Sequence, residues 1–367
     1  MKKILCILPD FLIVGGISTY NRNLLDALID AGYDISIISR NDKVKKHRSM
    51  RVISFGSIGS IFIRKCFFIL RIIYELFFGR YDLVLCNHIN FASVCYIGSK
   101  LGRKKYIITT YGVEVWNIIS RVKKKAINSA EAIVAISDFT KDRIVQQFSS
   151  MADRVLILPP AVDGNSFLPK DKPQHLYERH NLNRSSKVIL TVGRLDKQEG
   201  KKGYYQIIDI MPELIKTNLE IVYMIVGSGD DLDNIKEYAR NRKIENSIIF
   251  TGYVPDDELI DYYNLCDLFV MPSTQEGFGI VFLEALACGK PVVGGNCDGS
   301  KDALLGGELG ILVNPNDKNE ILLQIKNFFK GQVSQRLRDP QYLRNTVIDN
   351  YGMAKFGDRA RSLVEKL

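Results

Sequence analysis

Two glutamates, Glu276 and Glu284, stand eight residues apart on either side of a glycine-punctuated turn, Gly277-Phe278-Gly279. Ile280 and Val281 then open an apolar run that continues to Ala287. Carboxylates accept hydrogen bonds from the hydroxyls of a sugar or a ribose. Glycines let the backbone come close to a ligand, and the first N–H groups of a helix point at an anion. With a rise of ~1.5 Å per residue the two carboxylates lie ~12 Å apart. That span suits a sugar at one end of a nucleotide diphosphate and a ribose at the other, with the diphosphate over the helix start. Two cations in other segments suit the same ligand: Arg194, which follows Gly193 after an apolar strand, and Lys202, which precedes Gly203 and a helix. Fixed cations in a dry cleft stabilise the charge that develops on a leaving diphosphate. Taken singly, each is also an ordinary surface cation.

The composite resembles the signature of the family 4 retaining glycosyltransferases of the GT-B fold, of the type that builds bacterial cell-surface polysaccharides. The motifs that carry the resemblance are Glu276-x7-Glu284 and the Glu284-Ala-x-Ala-x-Gly-Lys-Pro-Val-Val continuation. Supporting matches, in the family's order, are Gly15-Gly16, Gly193-Arg194-Leu195, Lys202-Gly203, Val226-Gly227-Ser228-Gly229 and Gly252-Tyr253-Val254. The resemblance implies two doubly wound Rossmann-like α/β domains facing across a cleft. Residues 1–170 would bind the acceptor, 171–345 the nucleotide-sugar, and 346–367 would form a helix crossing back to the first domain. It further implies sugar transfer from a nucleotide-diphosphate sugar to an acceptor hydroxyl with retention, and no metal or other cofactor. In that scheme Glu276 positions the donor sugar, Glu284 holds the ribose, and Arg194 and Lys202 meet the diphosphate. Gly15, Gly16, Gly193, Gly227, Gly277, Phe278, Gly279, Ile280 and Val281 line the donor, and Tyr253 and Val254 lie by the base. The sequence departs from the family at Tyr111-Gly112-Val113-Glu114, where the family usually carries His-Gly-x-Glu or Asp. A tyrosine can donate to a sugar hydroxyl but is a poor base at neutral pH. His88, near another strand end, is the alternative among four histidines. Two other readings stay open: a nucleotide-sugar epimerase or hydrolase of the same fold, and a non-catalytic nucleotide-sugar binding module. Tyr111 favours the last; the paired glutamates and both cations count against it.

The chain that must position these residues has 367 of them, enough for two full cores. Its 46% hydrophobic and 25% charged residues are ordinary for a globular protein. Seven cysteines without a C-x-x-C pair fit reduced thiols in a cytoplasmic protein. Pro9 and Asp10 interrupt the N-terminal apolar run, which argues against an export signal. Residues 1–170 hold 25 lysines and arginines against 13 acidic residues, a net +12; residues 171–367 hold 25 against 28, a net −3. A basic half fits an anionic membrane surface or a solvated face; nucleic acid is disfavoured, because no nucleic-acid motif accompanies the charge. Ile58 to Phe78 is the unusual stretch. Its charges, Arg64, Lys65, Arg71 and Glu75, fall on one helical stripe and leave a wide apolar face. It is too charged to span a bilayer. It is either a core helix or one lying in the inner membrane surface, which would suit a lipid-linked saccharide acceptor in capsule, O-antigen or exopolysaccharide assembly.

Alternating strands and helices supply the rest. Strands are expected at Ile4 to Leu8, Ile35 to Ser39, Tyr81 to Leu85, Ile107 to Thr110, Ala132 to Ile136, Val188 to Val192, Ile221 to Val226, Ile248 to Thr251, Leu268 to Met271 and Val292 to Gly295. Ser18 is the expected N-cap of the first helix, and Phe278 to Ala287 the expected helix after the central turn. The polar run Lys170 to Ser186 reads as a linker. Asp231-Leu232-Asp233 resembles a metal-binding D-x-D, but acidic residues opening a helix account for it better.

Overall fold

The computed structural model describes residues 2–13, 15–44, 46–48, 50–118, 120–197, 201–217 and 219–367. The chain forms two compact units, Met1–Ala161 with Met353–Leu367, and Val162–Gly352.

The first unit is built on an eight-stranded sheet. Across it run Lys46–His47, Met50–Ser54, Asp34–Ser39, Lys3–Leu8, Leu83–Cys86, Tyr106–Thr110, Ala132–Ala135 and Val155–Ile157. Among the described residues only the pairing of Lys46–His47 with Met50–Ser54 is antiparallel. Buried, nearly continuous apolar strands such as Ile4, Leu5, Cys6, Ile7 and Leu8 are what a parallel sheet covered on both faces requires. Strand order reverses at Lys3–Leu8, which pairs with Asp34–Ser39 on one side and Leu83–Cys86 on the other. In open α/β sheets the crevice outside such a reversal binds ligands.

Helix Met353–Glu365 belongs to this unit and packs on helix Gly16–Asp30. Phe356 meets Tyr20 edge to face at 5.7 Å, and Ala360, Leu363 and Val364 are buried with it. Burying each large apolar side chain of this stripe contributes about 1.5–3 kcal/mol. The first helix begins at Gly16, with Gly15 as its N-cap, rather than after Ser18. Ser18 is occupied otherwise: its Oγ donates to the Asp10 carboxylate.

Helix Ile61–Phe78 is capped by Ser60 and buries a narrow face of Phe68, Ile72, Glu75 and Leu76. Glu75 is tolerated there because Arg71 and the Tyr81 hydroxyl, at 2.9 Å, both donate to it. Most of the helix is nevertheless exposed and apolar, with Phe62 at 76%. The stretch is thus a core helix on one side and an uncovered apolar surface on the other. Among the described residues no helix is long and apolar enough to cross a membrane.

The second unit carries a six-stranded, wholly parallel sheet in the order Ile248–Gly252, Ile221–Val226, Lys187–Val192, Leu268–Met271, Val292–Gly295 and Ile311–Val313. Its order reverses between Lys187–Val192 and Leu268–Met271. The polar run expected to be a linker lies inside this unit. Gln174–Arg179 is helical, and Leu176 and Tyr177 are buried. Two apolar residues in a polar run are enough to dock one helical turn, which composition alone understates.

Candidate active site

The strand reversal in the second unit brings two of the predicted residues, Lys202 and Glu276, into contact. Leu268–Met271 ends in Pro272 and Ser273, and the loop that follows carries Glu276. Lys187–Val192 ends in Gly193 and Arg194, and the returning segment Lys201-Lys202-Gly203 lies against the first loop. The Thr274 N–H donates to the Lys201 carbonyl at 2.9 Å. Gly203 has φ +92°, and a Cβ there would come within 2.6 Å of the Pro272 ring. This contact brings Lys202 Nζ onto the Glu276 carboxylate, an ion pair whose side chains are only 18% and 15% exposed.

Glu276 is also fixed by its backbone. Its N–H donates to Asp298 Oδ2 at 2.7 Å, and its carbonyl accepts from the Gly299 N–H at 2.9 Å. Asp298 is buried and further accepts from Ser273 Oγ at 2.8 Å and the Ser300 N–H at 3.0 Å. Burial raises the Asp298 carboxyl above its ordinary range, and these donors pull it back toward ionisation. Gly295 and Gly299 let the Asn296–Ser300 loop touch the Ser273–Gly277 loop: a Cβ at either would overlap the carbonyl of Ser273 or of Gly277. Asp298 was not anticipated. Its only sequence signal was an acidic residue beside a glycine after an apolar strand, a pattern common in loops.

Helix Ile280–Ala287 starts two residues later than expected because Gly279 takes φ +92° and Phe278 is withdrawn into the core. The Phe278 ring lies 5.3 Å from that of Tyr351, so only its backbone is available to a ligand. Gly279 supplies no side-chain cap, and Ile280 and Val281 form the first helical turn. Glu284, one turn on, accepts from the Tyr263 hydroxyl at 2.5 Å. Burial pushes its carboxyl up to about 7, which that hydrogen bond partly opposes. Tyr263, itself buried, was missed because a core tyrosine in an amphipathic helix carries no distinctive signal.

On the other flank, three strand ends are stitched together. The Gly193 N–H donates to the Val226 carbonyl at 3.0 Å, Gly227 to Gly252 at 2.9 Å, and Leu195 to Ser228 at 3.0 Å. Gly227, at φ +142°, admits no side chain because a Cβ would overlap the Gly193 carbonyl oxygen. Tyr253 is 57% exposed beyond this edge, whereas Val254 is buried. Asp231 is engaged by the Tyr205 hydroxyl at 2.8 Å and by Asn234 at 2.7 Å.

In the first unit Gly15, with φ +149°, opens helix Gly16–Asp30 at the strand reversal. Tyr111 is placed differently from a ligand-facing residue. It is buried, its hydroxyl donates to Asn21 Oδ1 at 2.8 Å, and its ring meets Tyr20 edge to face at 5.4 Å. Asn87 donates to the same Asn21 oxygen at 3.0 Å. Glu114 turns back to accept from the Tyr111 N–H at 2.5 Å, closing its own loop. His88 is half-buried, with Nδ1 accepting from the Asn90 N–H at 3.1 Å. Burial, and then the charges of Lys123 and Arg40, bring its pKa down to about 4, so the ring is neutral at pH 7.

Two parallel-sheet Rossmann-like domains, with a carboxylate, a cation and glycine turns at a strand reversal in the second, are those of the GT-B glycosyltransferases. Residues 14–165 match the description Glycosyltransferase Family 4, and residues 174–345 match Glycosyl transferases group 1. The chain belongs to the family 4 glycosyltransferases, and it is a transferase. It is 30% identical over 287 residues, 73% of this chain and 72% of the other, to a GDP-mannose-dependent alpha-(1-6)-phosphatidylinositol monomannoside mannosyltransferase of Mycolicibacterium smegmatis. It is 28% identical over 204 residues, 55% of this chain and 52% of the other, to the O-antigen chain mannosyltransferase B of Escherichia coli. HepE of Anabaena, solved with UDP-glucose, shares the fold at a TM-score of 0.81 and 18% identity, with both chains covered in full.

Proposed function

We propose that the protein transfers a hexose, with retention, from a nucleotide-diphosphate sugar to a hydroxyl of a lipid-linked saccharide in surface-polysaccharide assembly. The observation that carries this reading is the clamped Glu276–Lys202 pair at the sheet reversal. The Glu276 backbone is fixed on both sides and its carboxylate is paired with Lys202, so the side chain is held in a defined place. It is suited to accept hydrogen bonds from the donor sugar. The diphosphate leaves toward Arg194, Lys202 and the first turn of helix Ile280–Ala287, and Glu284 receives the ribose hydroxyls. The acceptor approaches the face the diphosphate leaves, and a leaving phosphate oxygen takes its proton, so no side chain need serve as base. Tyr111, its hydroxyl held by Asn21, then acts by supporting the strand ends.

Relatives named for glycolipid and O-antigen mannosylation support a glycolipid or polysaccharide acceptor and make GDP-mannose the first donor to test. The exposed apolar side of helix Ile61–Phe78, on the basic half of the chain, supports contact with an anionic membrane surface on the cytoplasmic side. The test is nucleotide release from GDP-, UDP- and ADP-sugars, with and without membrane lipid extract, in the presence of EDTA. Release from one donor, increased by lipid and insensitive to EDTA, is expected. Release unchanged by any acceptor would instead indicate a hydrolase, and binding without release a non-catalytic module.

A further inference from the structure

We propose that the first unit holds a binding site for a phosphate or diphosphate group at the loop His88–Phe91, and that this group is borne by a lipid. The inference rests on reading this unit as the acceptor side.

The loop leaves strand Leu83–Cys86 at the strand reversal, where α/β sheets bind ligands. Three donors converge on it. The Arg40 guanidinium, just beyond strand Asp34–Ser39, lies over the Phe91 ring at 5.5 Å. Lys123 Nζ, from helix Arg121–Asn128, donates to Asn90 Oδ1 at 2.8 Å. His88 lies between, its ring 5.9 Å from that of Phe91. Because Nδ1 accepts from the Asn90 N–H, the neutral imidazole carries its hydrogen on Nε2 and is a donor there. Burial first, and then the nearby Lys123 and Arg40, disfavour imidazolium, while Asp10 opposes them. Arg64 adds a third positive charge near Arg40 while donating to the Ile58 carbonyl at 3.0 and 2.7 Å.

The nearby carboxylates are engaged, Asp42 by Ser39 Oγ and the Phe11 and Leu12 N–H groups. Asp10 accepts from Ser18 and from Asn41 at 3.1 Å, and Glu114 from the Tyr111 N–H. All three donors keep partial exposure. A guanidinium, an ammonium and a fixed N–H donor match the acceptor-only oxygens of a phosphate.

The lipid enters through Phe91. The ring beneath Arg40 also meets Phe68 of helix Ile61–Phe78 at 5.0 Å, and that helix exposes Phe62, Phe67, Leu70, Tyr74, Phe77 and Phe78. The anion site and the apolar face are thus anchored on one aromatic contact. A ligand with a phosphate and an apolar tail fits both.

The test follows the His88 ring by NMR in the full chain, assigned with His88→Gln. Inorganic phosphate and pyrophosphate are titrated first, then phosphatidylcholine vesicles with and without phosphatidic acid. The expected result is a shifted His88 resonance and a raised titration midpoint with either anion. Arg40→Gln and Lys123→Gln should each weaken the response at least about tenfold, as loss of a charge-assisted bond implies, and Arg40→Lys less. Vesicles with phosphatidic acid should act at lower phosphate concentration than free phosphate. No response, or one equal in all variants, overturns the site. Response to free phosphate with no gain from phosphatidic acid overturns the lipid assignment. Sugar transfer is measured separately: transfer without any His88 response sinks this inference alone, whereas a response without transfer sinks the functional reading alone.

Discussion

Glu284→Gln should stabilise the protein at neutral pH and not at acid pH. The carboxyl sits against Tyr263 in a helix whose neighbours are apolar, and burial lifts it from an ordinary 4.5 to about 7. Both folded and unfolded states hold the proton below pH 4.5, so burial carries no ionic cost there. As pH rises through about 7 the folded chain must either keep a proton that the unfolded chain has released or ionise a poorly solvated group. Stability from this residue is therefore present below 4.5 and lost between 4.5 and about 7. At ~1.4 kcal/mol per pH unit the fully buried limit is roughly 3 kcal/mol. Glu284 keeps partial exposure, and screening brings the expected difference to about 1–2 kcal/mol. The assay is urea unfolding of parent and Glu284→Gln between pH 4.5 and 8, following the second unit's transition. The two stability curves should separate with rising pH. Parallel curves would refute the claim that this carboxyl is held in a desolvated site. Donor binding adds a second reading: if ribose hydroxyls bond the ionised carboxylate, donor binding should release a proton near neutrality, seen as buffer-dependent binding enthalpy.

Glu276→Gln should lower transfer about a hundredfold or more while leaving the melting temperature within a few degrees, because the backbone bonds to Asp298 and Gly299 survive; transfer rates near the parent's would remove Glu276 from the reaction. Asp298→Ala deprives the Glu276 N–H and Ser273 of their acceptor and should cost about 1–3 kcal/mol with a drop in kcat, measured by thermal unfolding and steady-state kinetics. Gly227→Ala forces a Cβ onto the Gly193 carbonyl at φ +142° and should destabilise by more than about 2 kcal/mol; calorimetry showing a neutral effect would contradict the close strand-end packing. Tyr111→Phe removes a buried bond to Asn21, so a loss of about 1 kcal/mol in unfolding is expected, with transfer kept within severalfold; a collapse of kcat with intact stability would return Tyr111 to the reacting groups.

The strands and the central turn could be read from the residues, because both rest on local rules. Buried parallel strands are continuous apolar runs, and glycines that must adopt positive φ or admit a neighbouring backbone announce themselves by type and spacing. Ile4 to Leu8, Leu268 to Met271 and the Gly277-Phe278-Gly279 turn were legible for this reason. Helix starts were less so: Ser18 is a good cap by propensity, yet Asp10 takes its hydroxyl, and a partner eight residues away outbids a local preference. What each polar group faces depends on the folded chain. Folding joined Lys202 to Glu276 across 74 residues, set Asp298 beneath the Glu276 N–H, and turned the Tyr111 hydroxyl inward to Asn21, 90 residues away. It also divided the helix Ile61–Phe78 between a buried stripe and an exposed apolar face. Hydrogen bonds and desolvation depend on neighbours brought together by sheet order, and sheet order is set by burial summed over the whole unit rather than by any single stretch of residues.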